Sequence, residues 1–244
     1  MMPSPFPPPL EVYLLGLVEF EDAQQLQRRL VYDLGEGGGG ALVLCEHPPT
    51  ISVGRSGSRM HVLADDVALR DSGIRVRWTN RGGGCVQHVP GQHAAYLVLP
   101  LDRLGLNLQD YLDGLNRALI GVLAEFDLVG TTRPEAAGVF LGHARVASLG
   151  VAVNRWIAYH GVTLNVGPFL EWFDLIDEPG IGARPLRQTS MEARRHNPAP
   201  MSRVREALIR QLETVFRLER HHVYTTHPLI RRKVRPHVYA RSSG

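Results

Sequence analysis

The chain has 244 residues, of which 44% are hydrophobic and 21% are charged, and its formal charge is only +3. These values are ordinary for a folded globular protein, so we expect no nucleic-acid partner. No apolar run approaches the ~20 residues of a membrane helix, so we expect no membrane partner. The only cysteines are Cys45 and Cys85, a number that fits the reducing cytoplasm. The proline-rich segment 1–9 lacks a signal-peptide pattern and is predicted to be a disordered leader.

Apolar spacing predicts helices and strands that interleave along the chain. Helices are predicted at 20–34, 108–126 and 202–218, the last capped by Ser202, with a short helix at 169–176 and a turn region at 178–183. Strands are predicted at 41–45, 51–54, 74–78, 94–99, 139–140, 146–153 and 156–166. Without a regular β-α-β alternation, this order favours an α/β fold with a mixed β-sheet flanked by helices. We expect one domain over residues 10–220 and a basic tail over 221–244.

A glycine-rich motif stands between two of the predicted strands. Residues 81–92 read Arg-Gly-Gly-Gly-Cys-Val-Gln-His-Val-Pro-Gly-Gln. Residues 82–84 have no Cβ, so their backbone can approach a ligand closely or adopt a positive φ. Cys85 and His88 are three apart on a predicted strand and should face opposite sides, which disfavours a catalytic Cys–His pair. Cys85 is interpreted as a buried thiol and His88, at the strand end, as a candidate ligand contact.

Two further groups of small residues interrupt apolar strands. They are Ser148-Leu149-Gly150 and His160-Gly161-Val162, and each could be a bulge, a point of close approach or ordinary sheet geometry. The sequence has no Cys/His cluster at zinc spacing, no phosphate-binding loop and no dinucleotide fingerprint. We therefore expect neither a metal nor a cofactor.

Six segments occur together in an order that resembles the lipoyl/octanoyl transferases of lipoate biosynthesis. They lie at 15–30, 44–55, 81–92, 138–140, 146–150 and 159–166, and the resemblance covers residues 15–180. It implies a lipoate/biotin protein ligase-like catalytic domain, and we expect the chain to be a monomer. It also implies an acyltransferase that moves an octanoyl group from acyl carrier protein to a lysine of a lipoyl domain, with both proteins as partners.

The resemblance also implies a substrate pocket. The residues carried over to it are Arg81, Gly82, Gly83, Gly84, Cys85, Val86, Gln87, His88, Ser148, Leu149, Gly150, His160, Gly161 and Val162, with Arg145 directed into the same pocket.

The two catalytic positions of the family hold other residues in this chain. Family members form a thioester on a cysteine, and a lysine activates that thiol and the incoming amine. The lysine position is Arg145 here, and the cysteine position is Pro179. Arginine stays protonated and cannot serve as a general base, and proline offers no nucleophile. We therefore expect the family's two-step route to be severely reduced.

Three interpretations follow from these replacements. In the first, transfer persists by another route, either through Cys85 as a replacement thiol, with Cys45 next, or directly, with Arg145 stabilising the oxyanion. In the second, the chain is a non-catalytic relative that binds an acyl chain or a lipoyl domain. In the third, it is an ATP-dependent lipoate or biotin ligase of the same fold.

Overall fold

The computed structural model describes residues 9–177, 186–195 and 197–230. These residues contain four α-helices and eleven strands. The helices are α1 (Phe20–Glu36), α2 (Asp66–Asp71), α3 (Leu108–Ala124) and α4 (Met201–Phe216). The strands are β1 (Pro9–Leu17), β2 (Gly40–Glu46), β3 (Thr50–Val53), β4 (Arg75–Trp78), β5 (Cys85–His88), β6 (Gln92–Pro100), β7 (Gly130–Arg133), β8 (Ala136–Leu141), β9 (Ala144–Asn154), β10 (Ile157–Asn165) and β11 (Glu219–Tyr224).

Two sheets organise these elements. The large sheet has eight strands in the order β11-β1-β2-β6-β10-β9-β8-β7, and the small sheet has three in the order β4-β3-β5. In the large sheet β1 runs parallel to both β11 and β2, whereas the other neighbours are antiparallel. The prediction of a mixed sheet is therefore confirmed.

Helices cover both faces of the large sheet. Helix α1 packs on one face against β6 and β10, and α3 and α4 pack together on the other. Every residue of β2, β6 and β10 is buried, because these central strands have a helix on each side. The small sheet has a separate apolar cluster that includes Ile51, Val53 and Cys85.

Most predicted elements are confirmed, but several details differ. Helix α4 begins at Met201 after Pro200, so the prediction of Ser202 as its cap was wrong. A proline preceding the helix supplies no side-chain cap, and Ser202 already lies in the first turn. The short helix predicted at 169–176 is a 3-10 helix over Leu170–Leu175.

The first and last strands extend beyond the predicted domain limits of residues 10 and 220. Pro9 is the first residue of β1, and β11 crosses position 221, where the predicted tail begins. Residues 1–8, the turn residues 178–183 and the basic residues 231–244 lie outside the described residues. Within the described part of the chain, no helix has the length and apolarity needed to cross a membrane.

Candidate active site

The glycine loop, residues 81–84, joins the small sheet to the large one. Gly54 N–H donates to Gly84 O (3.0 Å), and Gly82 N–H donates to Val151 O in β9 (2.8 Å). A Cβ at Gly150 would lie 2.7 Å from Arg81 Cδ and 3.0 Å from Gly82 O. Gly83 adopts a φ of +85°, a conformation that L side chains disfavour. The small residues are therefore required where the loop lies on β9.

Three of the predicted segments meet around one space, which we call the main cavity. It is small, about 20 Å³, and has room for about one water molecule. An octanoyl chain would therefore require the lining side chains to move apart. The residues that line the main cavity are Phe20, Arg81, Val86, His88, Tyr96, Ser148, Leu149, Gly150, His160, Gly161, Val162 and Thr163.

Some predicted residues do not line the main cavity. Cys85, Gln87 and Arg145 line a second small space, the Cys85 cavity, which shares Val86 and Ser148 with the main cavity. Gly82, Gly83 and Gly84 shape the loop without lining either cavity. Pro179 lies outside the described residues.

Arg145 is held firmly at the start of β9. Its side chain is buried, and its backbone N–H and C=O bond to Arg187 O (2.8 Å) and Thr189 N (2.9 Å). The side-chain amide of Gln188 is oriented so that both its nitrogen and its oxygen form hydrogen bonds. In this orientation its oxygen accepts from Arg145 Nη2 at 2.8 Å. Arg145, which carries a permanent charge, therefore lines the Cys85 cavity next to the main cavity.

Both thiols are buried, and neither lines the main cavity. The Cys85 thiol donates to Ser58 O (3.7 Å) and packs in the apolar cluster of the small sheet. Cys45 lies on the α1 face of the large sheet, 3.6 Å from His47 Nε2. Burial raises the pKa of the Cys45 thiol, and Glu46 adds to this effect. Cys45 is therefore a poor nucleophile.

Three buried histidines lie beside the main cavity. Burial lowers the pKa of His47 to about 4 and that of His160 to about 3, the latter also through Arg81 and Arg28. Burial, with the nearby His47, Arg81 and His160, also holds the pKa of His88 well below its ordinary value. All three rings are therefore neutral near pH 7 and can each donate and accept one hydrogen bond.

Hydrogen bonds that the sequence did not predict hold Tyr96 and Arg81, two residues that line the main cavity. His47 Nδ1–H donates to Val18 O (2.9 Å), so its Nε2 accepts from Tyr96 Oη–H (2.7 Å). Arg81 Nη2 donates to both O and Oγ of Ser52 (2.8 Å each), and Ser52 Oγ lies 2.8 Å from His88 Nε2. Tyr96 is the one aromatic residue in a long apolar run, which is the only sequence signal that could have indicated it.

No group of three or more His, Cys, Asp or Glu side chains is arranged to hold a metal ion in the ranges that the structure describes. The lining of the main cavity instead combines the cation Arg81 with the neutral rings of His88 and His160.

The fold is an α/β fold of the lipoate-protein-ligase type. The family described as the lipoyl protein ligase A/B catalytic domain matches residues 19–213, and the chain belongs to this family. An octanoyltransferase of Roseiflexus sp. (strain RS-1) is 38% identical over 214 residues, or 86% of this chain and 88% of that protein. The octanoyltransferase of Geobacter metallireducens is 40% identical over 195 residues, or 80% of this chain and 87% of that protein. The resemblance to octanoyltransferases is therefore confirmed.

Solved structures support the same fold. Lipoate-protein ligase A bound with ATP superposes with a TM-score of 0.76 at 15% identity, over 91% of this chain and 90% of that chain. A bipartite lipoate protein ligase from Thermoplasma acidophilum, studied with its E2 lipoyl domain, gives 0.72 at 14% identity, over 91% and 88%. At these identities the likeness establishes the fold alone.

Proposed function

We propose that this chain transfers an octanoyl group from the thioester of an acyl carrier protein to the lysine ε-amine of a lipoyl domain. The observation that carries the proposal is the convergence of the glycine motif, the Ser148 segment and the His160 segment on one cavity. Membership of a family whose similar relatives are octanoyltransferases supports the substrate. One structural neighbour is a lipoate protein ligase studied with its E2 lipoyl domain, and this supports a lipoyl domain as the acceptor.

The residues present favour direct transfer. The lysine nitrogen attacks the thioester carbonyl carbon and forms the C–N bond, while the negative charge moves to the carbonyl oxygen. We assign Arg145 to stabilise this oxyanion, because its charge is permanent and it lies beside the main cavity. The C–S bond then breaks, and the carrier leaves as a thiol that takes up the proton released by the amine.

A route through Cys85 has one observation in its favour. Cys85 and Arg145 line the same small cavity, and a nearby cation favours a thiolate. Against this route, the Cys85 thiol donates to Ser58 O and packs within an apolar cluster. We therefore prefer direct transfer.

A non-catalytic role in binding acyl chains or lipoyl domains is the second candidate. It is favoured by the lining of the main cavity, which contains neither a cysteine nor a lysine. Lys233, the only lysine of the chain, lies outside the described residues.

The test is incubation of the purified full chain with octanoyl carrier protein and an unmodified lipoyl domain, followed by intact-mass spectrometry. The proposal predicts that the lipoyl domain gains the mass of one octanoyl group, and that a lipoyl domain with its target lysine replaced by arginine gains none. Binding of the octanoyl carrier without any mass gain would establish the non-catalytic role. Modification that requires ATP and free octanoate instead of the carrier would establish a ligase.

A further inference from the structure

The hydroxyl of Ser52 links the glycine loop to His88. Ser52 lies in β3 and is fully buried, and the two side chains that it contacts, Arg81 and His88, are buried as well. Its Oγ accepts from Arg81 Nη2 at 2.8 Å and from Arg81 Nε at 3.3 Å. The same oxygen lies 2.8 Å from His88 Nε2. No role in the reaction was predicted for this serine, which stands in an apolar strand.

The donors around Ser52 Oγ decide which way the hydrogen bond to His88 runs. A hydroxyl has one hydrogen to donate and two lone pairs to accept with. Both hydrogen bonds from Arg81 are donated by its N–H groups, so they occupy the two lone pairs of Ser52 Oγ. Ser52 must therefore donate its hydrogen, and His88 Nε2 at 2.8 Å is a closer acceptor than Val86 O at 3.4 Å.

The direction of this bond fixes the tautomer of His88. A neutral imidazole has one N–H and one acceptor nitrogen, so acceptance at Nε2 places the hydrogen on Nδ1. His88 Nδ1 is buried and has no hydrogen-bond partner within the described part of the protein. A buried N–H without a partner is costly and uncommon, so a bound ligand is the expected acceptor.

We propose that Ser52 is a positioning residue, which holds His88 as the Nδ1–H tautomer so that the main cavity offers one imidazole N–H to an acceptor atom of the bound acyl substrate. The assignment of the tautomer stands on the hydrogen bonds alone. The assignment of the ligand rests on the proposed function. Arg81 takes part by filling the lone pairs of Ser52, so the loop and the histidine are oriented together.

The test is long-range ¹H–¹⁵N spectroscopy of the full chain labelled at histidine, with the His88 signals assigned by their absence in His88→Gln. In the wild-type protein, His88 should carry its hydrogen on Nδ1 and have an unprotonated Nε2. The Ser52→Ala variant should shift the ring toward the Nε2–H tautomer, because the donor to Nε2 is gone. The Ser52→Thr variant keeps a hydroxyl and should restore the wild-type spectrum.

Activity gives the second readout. The Ser52→Ala variant should lower kcat/KM for octanoyl transfer roughly tenfold, the effect of one hydrogen bond, and Ser52→Thr should recover it. Thr50→Val is the matched control, because it removes another buried β3 hydroxyl, one that donates to Pro48 O (3.0 Å) and not to His88. It should change neither the spectrum nor the rate.

Two results would overturn the inference: a wild-type His88 that carries its proton on Nε2, or a tautomer that Ser52→Ala leaves unchanged. A chain that shows the expected tautomers but transfers no octanoyl group would refute the proposed function and the ligand assignment, while the positioning role of Ser52 would stand.

Discussion

Gly150 sets how closely the glycine loop can lie on strand β9. A methyl group there would meet Arg81 Cδ at 2.7 Å and Gly82 O at 3.0 Å, and Arg81 is itself held by Ser52. A shift of the loop would therefore move Arg81, which lines the main cavity. The position of the whole motif thus depends on the absence of one Cβ in a neighbouring strand.

We predict that Gly150→Ala destabilises the protein by about 1–3 kcal/mol and weakens octanoyl transfer, because overpacking displaces the loop. Urea unfolding and a transfer assay would measure both effects. Gly84→Ala is the matched control, because a Cβ at Gly84 meets nothing within 4 Å. Equal effects from the two substitutions would contradict the account.

The sequence indicated some site residues and not others, for a physical reason. Arg81, His88 and Gly150 belong to local patterns that are unusual in a strand, so they could be singled out. Ser52 and Tyr96 look like ordinary members of apolar strands, and they join the site only because distant strands pack together. Likewise, no spacing rule could assign Cys85 and Arg145 to a second cavity beside the main one.

At the level of elements, the central strands and long helices were predictable and the edges were not. Strands β2 and β6 are continuous apolar runs because helices cover both of their faces. Strands β7 and β11 lie at the two edges of the large sheet and have polar sequences, so periodicity does not reveal them. Helix α2 has only six residues and one buried side chain, too few for a helical stripe.

The contact between α3 and α4 depends on glycine at one crossing point. A Cβ at Gly114 would lie 2.5 Å from Phe216 Cζ, inside a packed aromatic contact with Tyr111. A Cβ at Gly121 would instead meet the end of the Gln211 side chain, which can move at the cost of its hydrogen bond to Glu125.

We predict that Gly114→Ala destabilises the protein by about 1–3 kcal/mol despite the higher helix propensity of alanine. Gly121→Ala should change the free energy of unfolding by less than about 1 kcal/mol, because the gain in propensity offsets the lost hydrogen bond. Urea unfolding of the two variants would compare them. A larger loss from Gly121→Ala would refute this view of the helix contact.

At the level of the whole molecule, the large sheet brings together the two ends of the described chain. Strand β1 pairs in parallel with β11, more than two hundred residues later, and with β2 on its other side. Such long-range pairing leaves no local signal, so the class of fold could be predicted but the strand order could not.

The buried histidines of the site affect the stability of the whole molecule, because their proton binding is linked to unfolding.

We predict that the protein loses stability as the pH falls below about 6.5, the ordinary pKa of histidine. The folded state keeps His47 neutral down to about pH 4 and His160 down to about pH 3, whereas the unfolded chain protonates both. Unfolding therefore takes up protons, and each histidine lowers the free energy of unfolding by about 1.4 kcal/mol per pH unit over that window.

Urea unfolding at pH 7 and at pH 5 would measure this dependence. The His47→Gln variant should show a shallower slope, because one of the linked protons is removed. A free energy of unfolding that is the same at both pH values would show that these rings are not held neutral.

The rate of octanoyl transfer by Cys85→Ala, compared with the wild type and Arg145→Ala, tests the central claim most directly. Transfer without a thiol intermediate predicts that Cys85→Ala keeps the wild-type rate, whereas Arg145→Ala loses roughly 10²-fold as its oxyanion stabiliser is removed. An inactive Cys85→Ala variant, together with an octanoyl adduct on Cys85 of the wild type, would contradict it.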